Sequence, residues 1–348
     1  MIPLPVRSGS VRGLPRVHSG PFEFGARPRV RPATLRAMLH LRMISPSDRT
    51  PDVLALLESS VGATHLAVLE GAARDPAGDV VMCDVAREAG DELLARLRAL
   101  GLAEHGSISV ENIDLSLSER ADRAEDEAPG EGVDAVLWES LTEATHEESR
   151  LTVTYLTFLT VATMIAACGV LTDSAILIVG AMVVGPEFGP LAGVCTGLVR
   201  RKVGLVGRSL AALLVGFPVA MLVTGGFSLL MDALGMFSQA DFNRPHPISE
   251  FVWKPDPLSF VVALLAGVAG IVSLTSAKSG ALVGVAISVT TVPAAANAAL
   301  ALSYGNLSET WGSFGQLLVN LAGIVLAGTL TLLGQRLFWA RKRRTAGL

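Results

Sequence analysis

Glu187 is the residue with the most chemical interest, and it stands inside an apolar run. Residues 180–190 read GAMVVGPEFGP, so two prolines and three glycines surround this acid where an unbroken helix is expected. Pro186 and Pro190 lack amide donors and crowd the preceding turn. Gly185 and Gly189 permit backbone shapes that other residues resist. An opened helix frees carbonyls, which suit cations, and exposes a new N-terminus, which suits anions. Within a bilayer such backbone is tolerated only where protein buries it or water reaches it. A charge at that depth costs about 2.5–3.5 kcal/mol on insertion scales. Glu187 meets that cost by staying protonated, or by facing a wet cavity with a cation or a helix end beside it. Either state suits a proton- or cation-linked site.

A second interrupted run, residues 283–299, supplies neutral hydrogen-bonding groups: Ser288, Thr290, Thr291 and Asn297, with Pro293 as the breaker. Asn320 joins them from a later apolar segment. The same residue types also serve plain packing. Proline kinks and small residues let helices approach closely, and two asparagines can bond each other across helices. A carboxylate has no such packing use, so Glu187 carries the functional reading. Asp173 reads as a helix cap rather than a ligand.

The elements that must position these groups follow from the pattern of hydropathy. The chain has 348 residues and is 50% hydrophobic, with the charges gathered in residues 1–150. Its mean hydropathy of +0.50 is high for a water-soluble protein of this size. A span takes about 20 apolar residues. Six candidates appear, at 151–171, 174–199, 205–230, 258–275, 279–302 and 313–335, the second and fifth being the interrupted ones. Basic residues collect at 200–208, at Lys278 and at 336–344, whereas the 231–257 loop and the links near Asp173 and Glu309 are acidic or poor in bases. The positive-inside rule then puts both termini in the cytoplasm. Each half reads plain span, broken span, plain span. Pro190 and Pro293 fall at matching places, as do Ser174 and Ser279. Three spans per unit turns the second unit over, which is the 3+3 inverted-repeat plan of many transporters.

Residues 38–117 alternate and turn like a soluble α+β domain. Strand patterns at 38–44, 63–71, 78–86 and 106–114 and helix patterns at 51–60 and 91–101 give the order βαββαβ, a ferredoxin-like arrangement. Thr50 is available to cap the first helix and Gly101 to end the second. His40, His65 and His105 are scattered and read as surface or strand residues, and no metal cluster or phosphate loop is expected. Residues 1–37 are basic and proline-rich, without the apolar core of a signal peptide, and read as a disordered arm or as sequence ahead of a true start at Met38. Residues 118–150 form an acidic linker with an amphipathic helix, suited to the membrane surface or to the soluble domain. The six-span membrane domain runs 151–338 and a basic cytoplasmic tail 339–348. Cys83, Cys168 and Cys195 give no disulfide framework and read as packing residues.

The stretch 169–193, GVLTDSAILIVGAMVVGPEFGPLAG, and the later 280–300 leading to 319–328 resemble the family known as domain of unknown function (DUF) 389, or the uncharacterised hydrophobic domain family. The likeness covers roughly 151–335. It implies a polytopic prokaryotic inner-membrane protein and brings no activity with it. Where many members have Ser-Pro-Leu-Met-Gly-Pro, this chain has Gly185-Pro186-Glu187-Phe188-Gly189-Pro190, and the family's Pro-Pro is Val292-Pro293.

Three functions compete. The first is a transporter or channel of unknown substrate, proton- or cation-linked and regulated by its cytoplasmic domain. The second is a sensor or scaffold that passes no solute. The third, a membrane enzyme, ranks last because no nucleophile–base pair or metal-ligand set accompanies Glu187. No cofactor, metal or nucleic-acid partner is expected. The lipid bilayer, a small solute or ion and a second copy of the chain are.

Overall fold

The computed structural model describes residues 38–113, 116–128, 136–247, 249–254, 257–276 and 290–345. Strand β1 (Met38–Ser45) is followed by α1 (Thr50–Glu58), β2 (Ala63–Arg74), β3 (Ala77–Ala86), α2 (Arg87–Ala99), the short α3 (Leu102–His105) and β4 (Ser107–Ile113). The sheet runs β2-β3-β1-β4 with every neighbouring pair antiparallel. Alternation decides its faces. Leu39, Leu41 and Met43 of β1 point to one side with Val81, Cys83 and Val85 of β3, against Val53, Leu56 and Leu57 of α1 and Leu93, Leu94 and Leu97 of α2. Each such side chain contributes roughly 1.5–3 kcal/mol on burial. Burial also pushes the Cys83 thiol up to about 12, which leaves it as a packing group.

Two local expectations change. Thr50 does not cap α1. The cap position is Arg49, without a side-chain bond, and Thr50 Oγ1 donates to Asp79 Oδ2 at 2.7 Å. The buried carboxylate, which also accepts Gly71 N–H at 2.8 Å, competes more strongly for the hydroxyl than the helix end does. Two of the histidines are not scattered in space. His40 Nδ1 and His65 Nδ1 meet the two oxygens of Asp84 at 2.8 and 2.7 Å. Gly101 behaves as expected, ending α2 in the left-handed region at φ 71°.

Helix α4 (Glu119–Glu127), capped by Ser118, lays Ala121 near Met38 and Ala86. Then α5 (Trp138–Glu148) joins the two parts of the chain. The sequence allows this helix the membrane surface or the soluble domain, and its residues pack on both the sheet domain and the apolar helices. Leu137 enters the sheet domain's core. Trp138 and Leu141 pack with Ala192, Cys195, Ile271 and Leu332 of the apolar helices.

Those helices are α6 (Val153–Leu171), α7 (Ala175–Val184), α8 (Phe188–Arg200), α9 (Val203–Ala233), the short α10 (Gln239–Phe242), α11 (Pro257–Thr275), α12 (Thr291–Ser303) and α13 (Leu307–Thr345). Four of them, α6, α9, α11 and α13, are long and apolar enough to cross a membrane. The α7–α8 pair, bent by 51°, makes a fifth if it counts as one span. Ile176, Leu214, Leu222 and Leu265 stand exposed around the bundle, a belt that lipid accepts and water does not. The fifth expected span, 279–302, is described only from Thr290 onward, and α12 with 13 residues is too short to cross alone. Helix α6 packs on α9 and α11 on α13, while both α8 and α12 contact α9 and α13.

Glu139 of α5 ties the junction electrostatically, receiving Arg98 of α2 at 2.7 Å and Arg200 of α8 at 2.8 Å. Burial pushes its carboxyl up, but the Arg200 hydrogen bond and the charges of Arg200, Arg98 and Lys202 outweigh this and hold it below the ordinary glutamate value. Glu148, at the other end of α5, is raised by burial. The two acids therefore act with opposite sign. The contribution of Glu139 is present above the unfolded value and is lost as pH falls through the lower folded one. That of Glu148 is full below the unfolded value and is lost as pH rises through the higher folded one. At pH 7, Glu139→Gln should cost about 1–2 kcal/mol, whereas Glu148→Gln should stabilise. Melting of the full chain in detergent at pH 7 and pH 4 checks both signs, and at pH 4 the Glu148→Gln gain should vanish.

Candidate functional site

The two interrupted segments meet. Helix α7 ends at Val184, the chain passes Gly185 and Pro186, and α8 starts after Glu187 in its cap position. Helix α12 starts after Thr290. Pro190 and Pro293 each stand at the third position of their helix, where the amide has no intrahelical acceptor, so proline sacrifices no bond. Thr291 Oγ1 donates to Glu187 Oε1 at 2.6 Å. Glu187 is 6% exposed, and its Oε2 has no hydrogen-bond partner among the described residues. The carboxylate folds back over Gly185. A Cβ at Gly185 would run into Glu187 Oε2 and lie 2.8 Å from Val292 Cγ2, so a larger residue would turn the carboxylate away or push the two breaks apart. Two helix N-termini thus converge on one acid, and their positive ends favour its charge.

Thr290 faces another way, its Oγ1 accepting from Asn320 Nδ2 at 2.7 Å. Asn320 and Asn297 do not bond each other. Asn297 lies farther along α12 and donates to Ser313 Oγ at 2.9 Å and Glu309 Oε1 at 3.1 Å. Gly189 turns away from Glu187, and a Cβ there would lie 2.6 Å from Glu148 Cβ. Ser288 lies outside the described residues. The sequence-predicted residues therefore form a core of Glu187, Thr291, Gly185 and Pro186, a neighbouring Thr290–Asn320 pair, and a separate cluster around Asn297.

Several groups were missed. Tyr155 of α6 lies within electrostatic reach of Glu187, and its buried hydroxyl has no partner among the described residues. On α13, Glu309, Ser313, Gln316 and Asn320 share one face at spacings of four, three and four. Gln316 donates to Asn320 Oδ1 at 3.4 Å and leaves its own Oε1 without a described partner. The spacing was the available signal. It makes a polar stripe leading from Glu309 toward Thr290 and, beside it, Glu187.

Residues 182–326, which include Glu187, all of α8 to α12 and Asn320, match the family model described as Domain of unknown function (DUF389). The chain carries a DUF389 domain over this stretch. No curated protein and no solved structure matches it. The DUF389 match contains both helix starts and the whole polar stripe, whereas the sheet domain and α5 lie outside it.

Proposed function

We propose that this protein is a multi-pass inner-membrane transporter or channel, linked to protons or another cation, with Glu187 at its centre. The observation that carries the reading is a buried carboxylate at two meeting helix starts, with one oxygen bonded to Thr291 and the other without a described partner. Such an oxygen takes a proton or a cation. The reading includes two units related by inversion, and the helix lengths are in keeping with it. A 19-residue helix, a 13-residue half-helix and a longer helix of 31 residues recur as 19, 13 and 39. The packing partners recur as well, since each half-helix lies against the long helix of its own unit and that of the other. In this reading Arg200 and Arg336 face the cytoplasm, as the positive-inside rule expects. The sheet domain then regulates from that side through α5, whose Glu139 binds Arg200 at the end of α8.

The experiment is reconstitution of wild type and Glu187→Gln in liposomes with pH and cation flux followed. Flux that responds to pH in the wild type and loses that response in the variant supports the reading. Absence of flux for every solute tried, with deletion of residues 38–117 altering a cellular response, favours a sensor instead.

A further inference from the structure

A cavity of about 380 Å³ lies at the Asp173 end of the bundle. The segment that follows α10 covers it, and Asp173 Oδ1 holds that segment by accepting Ser249 N–H at 2.9 Å and Ser249 Oγ at 3.0 Å. Asn297 and Glu309 line the cavity, with Phe242 and Trp253 also in its wall. We propose that this cavity binds a small organic ammonium ion.

Three features specify that class. Asn297 is 1% exposed, and its amide nitrogen is used twice while its Oδ1 has no partner among the described residues. A buried carbonyl without a donor is destabilising, and a ligand N–H removes that penalty. Glu309 takes Asn297 on Oε1 and Asn306 on Oε2, at 3.1 and 3.0 Å. Amides donate without neutralising, and Glu309 forms no ion pair among the described residues. The other carboxylate in the wall, Glu250, is paired with Lys254. Arg244 is paired with Asp241 at 2.9 Å, and His246 stands within electrostatic reach of Glu309. Glu309 is therefore the wall carboxylate that no lysine or arginine pairs among the described residues, with only the His246 imidazole near it, and an ammonium group supplies the missing permanent charge.

Size and walls separate an organic cation from a metal ion. A calcium-like ion asks for six to eight oxygens in a tight shell, whereas about 380 Å³ falls in the range of small-molecule sites. Aromatic faces attract cations and cover alkyl groups. Trp253 already does so for Lys254, whose Nζ is 4.9 Å from the ring centroid.

The site goes beyond the central-site reading, and its test involves no flux. Full-length protein in detergent is titrated with ethylammonium chloride against sodium chloride at equal ionic strength, with tryptophan fluorescence and melting temperature as readouts. Ethylammonium should give a saturating fluorescence change and raise the melting temperature, as ligand linkage requires. Trp253→Phe should lose the fluorescence change and keep the melting shift. Asn297→Ala and Glu309→Gln should each raise the half-saturating concentration at least tenfold. The wild-type melting shift needs no variant to fold. The proposal falls if ethylammonium gives no saturable response, if sodium gives the same one, if the fluorescence change survives in Trp253→Phe, or if both Asn297→Ala and Glu309→Gln bind as wild type.

Discussion

Thr291→Val should destabilise the membrane part by about 2–3 kcal/mol, and Thr291→Ser should restore most of it. The hydroxyl of Thr291 is the described partner of Glu187 Oε1, and Oε2 has none among the described residues. Valine fills nearly the same volume, so the loss isolates the hydrogen bond from packing. It leaves a carboxyl group that is 6% exposed with neither oxygen satisfied. Equilibrium unfolding of the full chain in mixed detergent micelles gives the number. The cycle is completed in a Glu187→Met background, where no acceptor is present and Thr291→Val should cost under about 0.5 kcal/mol. An equal loss in both backgrounds would mean that Thr291 acts on something other than Glu187.

Gly193→Val should detach α5 from α8. A Cβ at Gly193 would run into both Ser149 Oγ and Ser209 Oγ, and those oxygens are themselves hydrogen-bonded at 2.9 Å. The added methyls meet a filled space and break that bond, for about 2–4 kcal/mol in all. Hydrogen exchange should rise along α5 and remain unchanged along α6. Gly180→Ala is the control, because a Cβ at Gly180 meets nothing within 4 Å. If α5 exchanges in Gly193→Val as it does in the wild type, the glycine groove does not hold it.

The readable parts of the sequence were the ones set by local pattern. Alternation over 38–44 gave β1, and the proline–glycine interruption at 185–190 gave the α7–α8 break, because both arise within a few residues of chain. Partner choice was not local. Thr50 reaches Asp79 across 29 positions and Thr291 reaches Glu187 across 104. A lone hydroxyl does not reveal which of several acceptors the fold will bring to it. The two asparagines do not take each other, the packing alternative the sequence allows, since the offset between α12 and α13 decides that Asn297 meets Ser313 and Asn320 meets Thr290. The α13 stripe is legible at its spacing only when Glu309 counts with the helix, whereas the hydropathy pattern puts Glu309 in a link outside the span.

Helix α13 runs without interruption for 39 residues, about 58 Å at 1.5 Å per residue. Glu309 near its start reaches Asn297, and Arg336 toward its other end donates to Val199 O at 2.8 Å. Both grips belong to one stiff beam with no hinge between them. A tilt with its fulcrum near Asn320 that swings Glu309 one way swings Arg336, and the tail of α8 that it holds, the opposite way. The two faces of the bundle are thus joined by one continuous element, so that a displacement at either grip would be felt at the other without a relay of side chains.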